Sequence, residues 1–78
     1  MFYGYSKKQL NEYGLQDLRE VTFSASPDVL RQIADFLNES ASMMEDGWFD
    51  KCSHRHIQDE VKDWDKRFPE RDIIVMPE

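Results

Sequence analysis

The nine residues Cys52 to Glu60, CSHRHIQDE, hold the chain's only cysteine and both of its histidines. Their spacing is Cys-x-His-x-His. On a β-strand successive side chains alternate, so Cys52, His54 and His56 would share one face. Two imidazoles on one face are a fragment of a zinc site, yet a single zinc takes three or four ligands at about 2.0–2.3 Å. Cys52 and His56 lie about 13 Å apart along a strand, so both cannot easily reach one ion. Further ligands would have to come from Asp59, Glu60 or Asp63, because no second Cys/His cluster exists. A thiolate–imidazolium pair between Cys52 and either histidine is the second chemistry. Same-face neighbours on a strand stand about 6.5 Å apart, beyond the reach of the hydrogen bond a base needs. The third reading needs no chemistry: Cys52 is a small half-buried hydrophobe, and the histidines are amphipathic side chains at a sheet edge, open to a partner. The residues assign no catalytic group and no cofactor. His54 and His56 are the only candidates for a metal.

Two other groups could act. Trp48, Phe49, Asp50, Asp59, Glu60 and Asp63 combine aromatic anchors with an acidic rim, alongside Glu45, Asp46, Trp64 and Asp65. Interfaces favour such anchors, and an acidic rim steers a basic partner. Trp64 and Phe68 have core-like spacing, whereas Trp48 and Phe49 sit in an expected loop. The carboxylates Asp59, Glu60, Asp63 and Asp65 could do acid–base work or hold a divalent ion. With no pocket marked around them, they read as a solvated helix face.

These residues depend on elements that the pattern of the chain outlines. Ser6 to Tyr13 carries a capping-box-like Ser6/Gln9 pair with Gly14 placed as a stop, but Lys7 and Lys8 oppose a helix start. Residues 1–17 are therefore either a short turn or a loosely packed arm. Leu18 to Ser26 alternates Val21, Phe23 and Ala25 with Glu20, Thr22 and Ser24, a strand with one wet face. Ser26 as N-cap, Pro27 in the first turn, Asp28 at the positive end and Gly47 as a stop define a helix over 27–45. Its apolar stripe is Leu30, Ile33, Ala34, Leu37, Ala41 and Met44, widened by Val29, Phe36 and Met43. A strand follows from Ser53 to about Gln58. A short helix then runs from about Asp59 to Phe68 on the spacing of Ile57, Val61, Trp64 and Phe68, and Pro69 stops it. Ile73 to Met76 reads as a central strand, ended by Pro77. The expected fold is α+β in two layers: a small, mainly antiparallel sheet covered by one long amphipathic helix, plus a short second helix.

Length and composition set the frame. Seventy-eight residues, 40 % apolar with ten aromatic side chains, make one folded domain over 1–78. A lone cysteine forms no internal disulfide, which suits a reducing compartment. The start MFYGYSKKQL is not patterned as a secretory signal, and no run approaches the roughly 20 apolar residues of a membrane span. A cytoplasmic location is expected, without membrane contact. The net charge of −6 disfavours nucleic acid and favours a basic protein partner.

LREVTFSASPDVLRQIADFLNESASMME, HRHIQDE and the closing DIIVM together resemble the immunity protein 32 family of bacterial polymorphic toxin systems. The likeness lies in a strand leading into an Ala-Ser-Pro helix start, a long amphipathic helix, a His-x-His-Φ-x-Asp segment and a terminal Ile-Ile-Val strand. It spans about Leu18 to Met76; GWFDKCSHRH departs from it by a longer, cysteine-containing approach to the histidines. The resemblance implies a non-enzymatic inhibitor that neutralises a toxin domain encoded nearby, with His54, His56, Ile57 and Asp59 matching the motif. A metal-binding module built on His-x-His, and a homodimer paired through the His strand, stay open as alternatives.

Overall fold

The computed structural model describes residues 1–10, 14–49 and 53–78, with backbone alone for 7–10. It is a small α+β domain. In chain order, β1 (Phe2–Leu10) and β2 (Gln16–Phe23) form a hairpin, and α1 (Pro27–Glu45) is the long helix. β3 (Arg55–His56), α2 (Ile57–Glu60), α3 (Trp64–Arg67) and β4 (Ile74–Val75) follow. β1 pairs antiparallel with β2 and β3 with β4, in two separate two-stranded ladders where a single sheet was expected.

Helix α1 begins and ends where its local signals place it. Ser26 is extended at the N-cap, and its carbonyl accepts the first helical bond from Leu30 N–H at 3.0 Å. Its hydroxyl caps no backbone amide and instead donates to the Asp28 carboxylate. At the other end Gly47 takes φ +78. Gly47 N–H donates to the Met44 carbonyl at 3.2 Å and Trp48 N–H to the Met43 carbonyl at 2.9 Å, the paired bonds of a Schellman stop.

Helix α1 buries one edge of the expected stripe, Ile33 with the widening residues Val29 and Phe36, and leaves its centre exposed. Val29, Ile33, Phe36 and Ser40 are buried, while Leu30, Ala34, Leu37 and Ala41 are exposed. The two sets differ by one residue, a rotation of about 100°. The buried set wins because it alone faces Ile57 and Trp64, with which Val29, Ile33 and Phe36 form the core. Trp64 is 1 % exposed and its Nε1 donates to the Arg71 carbonyl at 2.8 Å, so its polar atom is satisfied. Phe68 and Phe2 flank its ring, with centroids 4.8 and 6.2 Å away.

Ile57, Val61, Trp64 and Phe68 do turn inward, as their spacing requires, but not along one helix. The chain opens out at Val61 and Asp63 adopts the left-handed φ of 62, dividing the segment into the single turns α2 and α3. The helical part starts at Ile57 rather than Asp59, because Ile57 N–H is taken by the Ile73 carbonyl at 2.9 Å and the strand ends there. β4 is no central strand: it lies in a two-stranded ladder and Ile74 is exposed.

The amino-terminal third holds the largest correction. Ser6 lies within a nine-residue strand, not a helical turn, and pairs with Leu18 of β2. Aromatic residues favour a pleated surface, and the lysines that oppose a helix start do not oppose a strand. All eight residues of β2 are exposed, so its alternation separates two faces without burying one. Register shifts follow Tyr5 and Ser6. Next to them only glycine fits at position 4, since a Cβ there would stand 2.5 Å from the Glu20 carbonyl oxygen.

Candidate functional site

β3 orders the histidine segment by alternation. Arg55 turns inward and is 8 % exposed, whereas His54 is exposed and His56 half-buried. The two imidazoles meet edge to face with centroids 4.8 Å apart. The ladder to β4 brings Asp72 beside His56, whose Nδ1 lies 2.5 Å from Asp72 Oδ2. With Asp72 ionised its carboxylate can only accept, so the Nδ1 that faces it is the donor. The other oxygen of Asp72 accepts from Ile73 N–H at 2.9 Å and Gln58 N–H at 3.3 Å. Asp72 thus ties the end of β3 to the start of α2 and the approach to β4. Among the described residues no three His, Cys, Asp or Glu side chains are grouped to hold a metal ion. Cys52 and Asp50 lie outside the described residues.

Arg55, unremarked in the sequence, is the hub of the inner side. Its Nη1 donates to Ser40 Oγ at 2.8 Å, and Ser40 Oγ donates in turn to the Phe36 carbonyl at 2.7 Å. Its Nη2 pairs with Glu39 and with Glu60, each at 3.2 Å. The guanidinium carbon stands 5.0 Å from the centroid of the Phe36 ring. One cation therefore clamps a carboxylate from α1 to one from α2. Position 55 could have been singled out, because it is the residue that must point opposite to two same-face histidines.

Above this clamp runs a cleft of about 300 Å³, lined by Gln32, Asp35, Phe36 and Glu39 of α1 and by Glu60, Val61 and Lys62. Gln32 Oε1 is buried and has no hydrogen-bond partner among the described residues; nor does Arg55 Nε. Three carboxylates, Asp35, Glu39 and Glu60, border the cleft against two cations, Lys62 on its wall and Arg55 pairing two of the three. The surplus is negative, and of the two unpartnered atoms the one on the cleft wall, Gln32 Oε1, is an acceptor. The arrangement can take a donor-rich cation.

The remaining sequence candidates scatter. Trp48 is 74 % exposed just beyond α1, and Phe49 is half-buried. Asp59 is exposed on α2, Asp63 is held in its left-handed turn and pairs with Lys66 at 3.6 Å, and Glu60 alone borders the cleft. The fold and site define a small α+β domain with an acid-edged cleft and no helix, among the described residues, long and apolar enough to cross a membrane. No family model, curated protein or solved structure matches the chain.

Proposed function

We propose that this chain is a non-enzymatic binding protein that neutralises a basic protein domain, in the manner the resemblance to bacterial immunity proteins implies. The cleft between α1 and α2 carries the reading. Its unpartnered Gln32 Oε1 and its carboxylates, Asp35 above all, suit a lysine or arginine side chain presented by a partner. The overall charge of −6 would speed encounter with such a partner. Trp48 is an exposed anchor that a partner would bury. In this reading His56 is a structural residue held by Asp72, and His54 is a contact residue. The protein would act in the cytoplasm, without turnover.

The test pairs the chain with the terminal domain encoded by the adjacent reading frame. Co-expression should restore growth where that domain alone arrests it, and titration calorimetry should give one-to-one binding. Asp35→Lys should weaken binding at least about tenfold, because reversing a charge that a partner cation would cover costs more than about 1.4 kcal/mol. Neither rescue nor binding would sink the proposal.

A further inference from the structure

The hairpin carries an apolar face that the rest of the described chain covers only at Phe2. Phe2 pairs with Phe23 and Gly4 with Val21, so these four share a face of the ribbon. Leu18 joins them, its Cδ1 reaching to 3.5 Å from where a Gly4 Cβ would stand. Phe2 anchors this face to the core through Trp64 and meets Phe23 edge-on at 5.5 Å. Beyond that anchor Leu18, Val21 and Phe23 are 46, 54 and 44 % exposed. The opposite face carries Tyr3 and Tyr5, with Arg19 over the Tyr5 ring.

Two quantities show that the chain exposes more than its size warrants. A compact chain of 9.3 kDa has about 5,000 Å² of accessible surface, and this one has 6272 Å². Its radius of gyration is 13.4 Å, where about 11.5 Å is ordinary for its length. The molecule is a slab only 18 Å thick. Summed over the whole molecule the excess is about 1,300 Å², against the roughly 800 Å² per partner that a stable interface buries. Isolated two-stranded hairpins are at best marginally stable in water, and this one makes extensive contact only within itself.

We propose that a second copy of this chain covers the hairpin, apolar face to apolar face about a two-fold axis, as two ribbons of a small sandwich packed about 10 Å apart. Charge selects the hairpin as the contact. Residues 1–26 hold three basic side chains (Lys7, Lys8, Arg19) and three acidic ones (Glu12, Asp17, Glu20), a net of zero. The whole surplus of −6 therefore lies in residues 27–78, which repel their counterparts in a second copy. The dimer uses no residue of the cleft, so it stands whether or not the cleft binds a basic partner.

Sedimentation velocity on the full chain, from low to high micromolar concentration, tests this. The wild type should move from the 9.3 kDa monomer to twice that mass. Val21→Glu should raise the dissociation constant at least about 100-fold, since it buries two unpaired charges at the axis face. Leu37→Glu, on the exposed stripe of α1, should leave the dimer intact. Hydrogen exchange on the wild type provides a reading that does not depend on any variant folding: β2 amides should gain protection as concentration rises. A wild type that stays monomeric, a Val21→Glu dimer, dissociation by Leu37→Glu, or β2 exchange independent of concentration would each overturn the proposal. The first of these would leave the face to an unlike partner.

Discussion

The hairpin and the remainder of the chain solve the same problem by opposite means. From Val29 onward, α1, the paired ends β3 and β4 and two single turns bury a shared cluster in which Ile57 and Trp64 are almost wholly removed from water. The described residues of β1 and β2 build the longer ladder, broken by two register shifts, yet bury little beyond Phe2. The extent of backbone pairing and stability are therefore separate properties here. Net stabilisation follows apolar area removed from water, at about 25 cal/mol per Å², far more than it follows ladder hydrogen bonds. In the monomer the core fixes the fold and the hairpin is carried by it.

Truncation should break the symmetry between the halves most visibly. Trp64→Ala removes the largest buried side chain and should cost about 3–5 kcal/mol. That is a large share of the roughly 4–12 kcal/mol expected of 78 residues, so urea denaturation should find the midpoint sharply lowered. Tyr3→Ala, on the outer face of the hairpin, should shift the same transition by no more than about 0.5 kcal/mol. Equal effects would mean that the hairpin carries as much of the fold as the core.

The Arg55 clamp should come next. Its carboxylate partners are 63 and 45 % exposed at their side chains, so the ion pairs themselves contribute little. What Arg55→Ala removes is packing on Phe36 and the donor to buried Ser40, together about 2 kcal/mol. Glu39→Gln should stay within about 0.5 kcal/mol. Guanidinium denaturation of both variants checks the ordering, and a Glu39→Gln effect as large as that of Arg55→Ala would show that the charge pair, not the packing, holds the clamp.

A smaller gain should come from relieving backbone strain in the same half. Glu70 has φ 60, a left-handed conformation that costs a side-chain-bearing residue about 1–2 kcal/mol. Glu70→Gly should raise stability by about 0.5–1 kcal/mol, after the entropy glycine adds to the unfolded chain. Asp63→Gly, at φ 62, should gain less, because aspartate tolerates this region and its Lys66 pair is lost. A raised thermal midpoint for Glu70→Gly, larger than for Asp63→Gly, is the expected result.

Sequence reading succeeded where the determinants are local. Ser26, Pro27 and Gly47 lie within a turn of the helix ends they define, so both ends of α1 were legible to the residue. The face of α1 was legible only in part: Val29, Ile33 and Phe36 were among nine apolar side chains that span too much of its circumference to select a direction, and Ile57 and Trp64, distant in sequence, decide it. β1 failed for the same reason: its hydrogen bonds are supplied by β2, and pairing overrode a weak capping pattern. The division of α2 from α3 turns on one left-handed Asp63, which composition does not mark. His56 was rightly placed on a strand and His54 lies just before it, but Asp72, which holds His56, lies across a ladder, and Gln32, an orphan acceptor of the cleft, looked like any other helix residue.

The smallest effect lies where the helix joins the hairpin. Asp28 follows the hairpin by five residues, and its carboxyl is held below the usual range, first by the Ser26 hydroxyl and then by Arg67, whose Nη2 lies 3.6 Å away on α3. A carboxyl depressed in the folded state stabilises above its unfolded value, about 3.9, and that contribution is lost as pH falls through the lower folded value. Because Asp28 is exposed, the loss should be slight and confined to acid below about pH 4. Ser26→Ala should return the carboxyl toward its ordinary value, seen as a rise in its carbon-13 titration midpoint, while Arg67→Ala should raise it less. The hairpin amides should keep their exchange rates across the same range, since the charge pair joins α1 to α3 and leaves β2 untouched. Hairpin exchange that followed the Asp28 titration would mean that the two regions are coupled through the residues that join them.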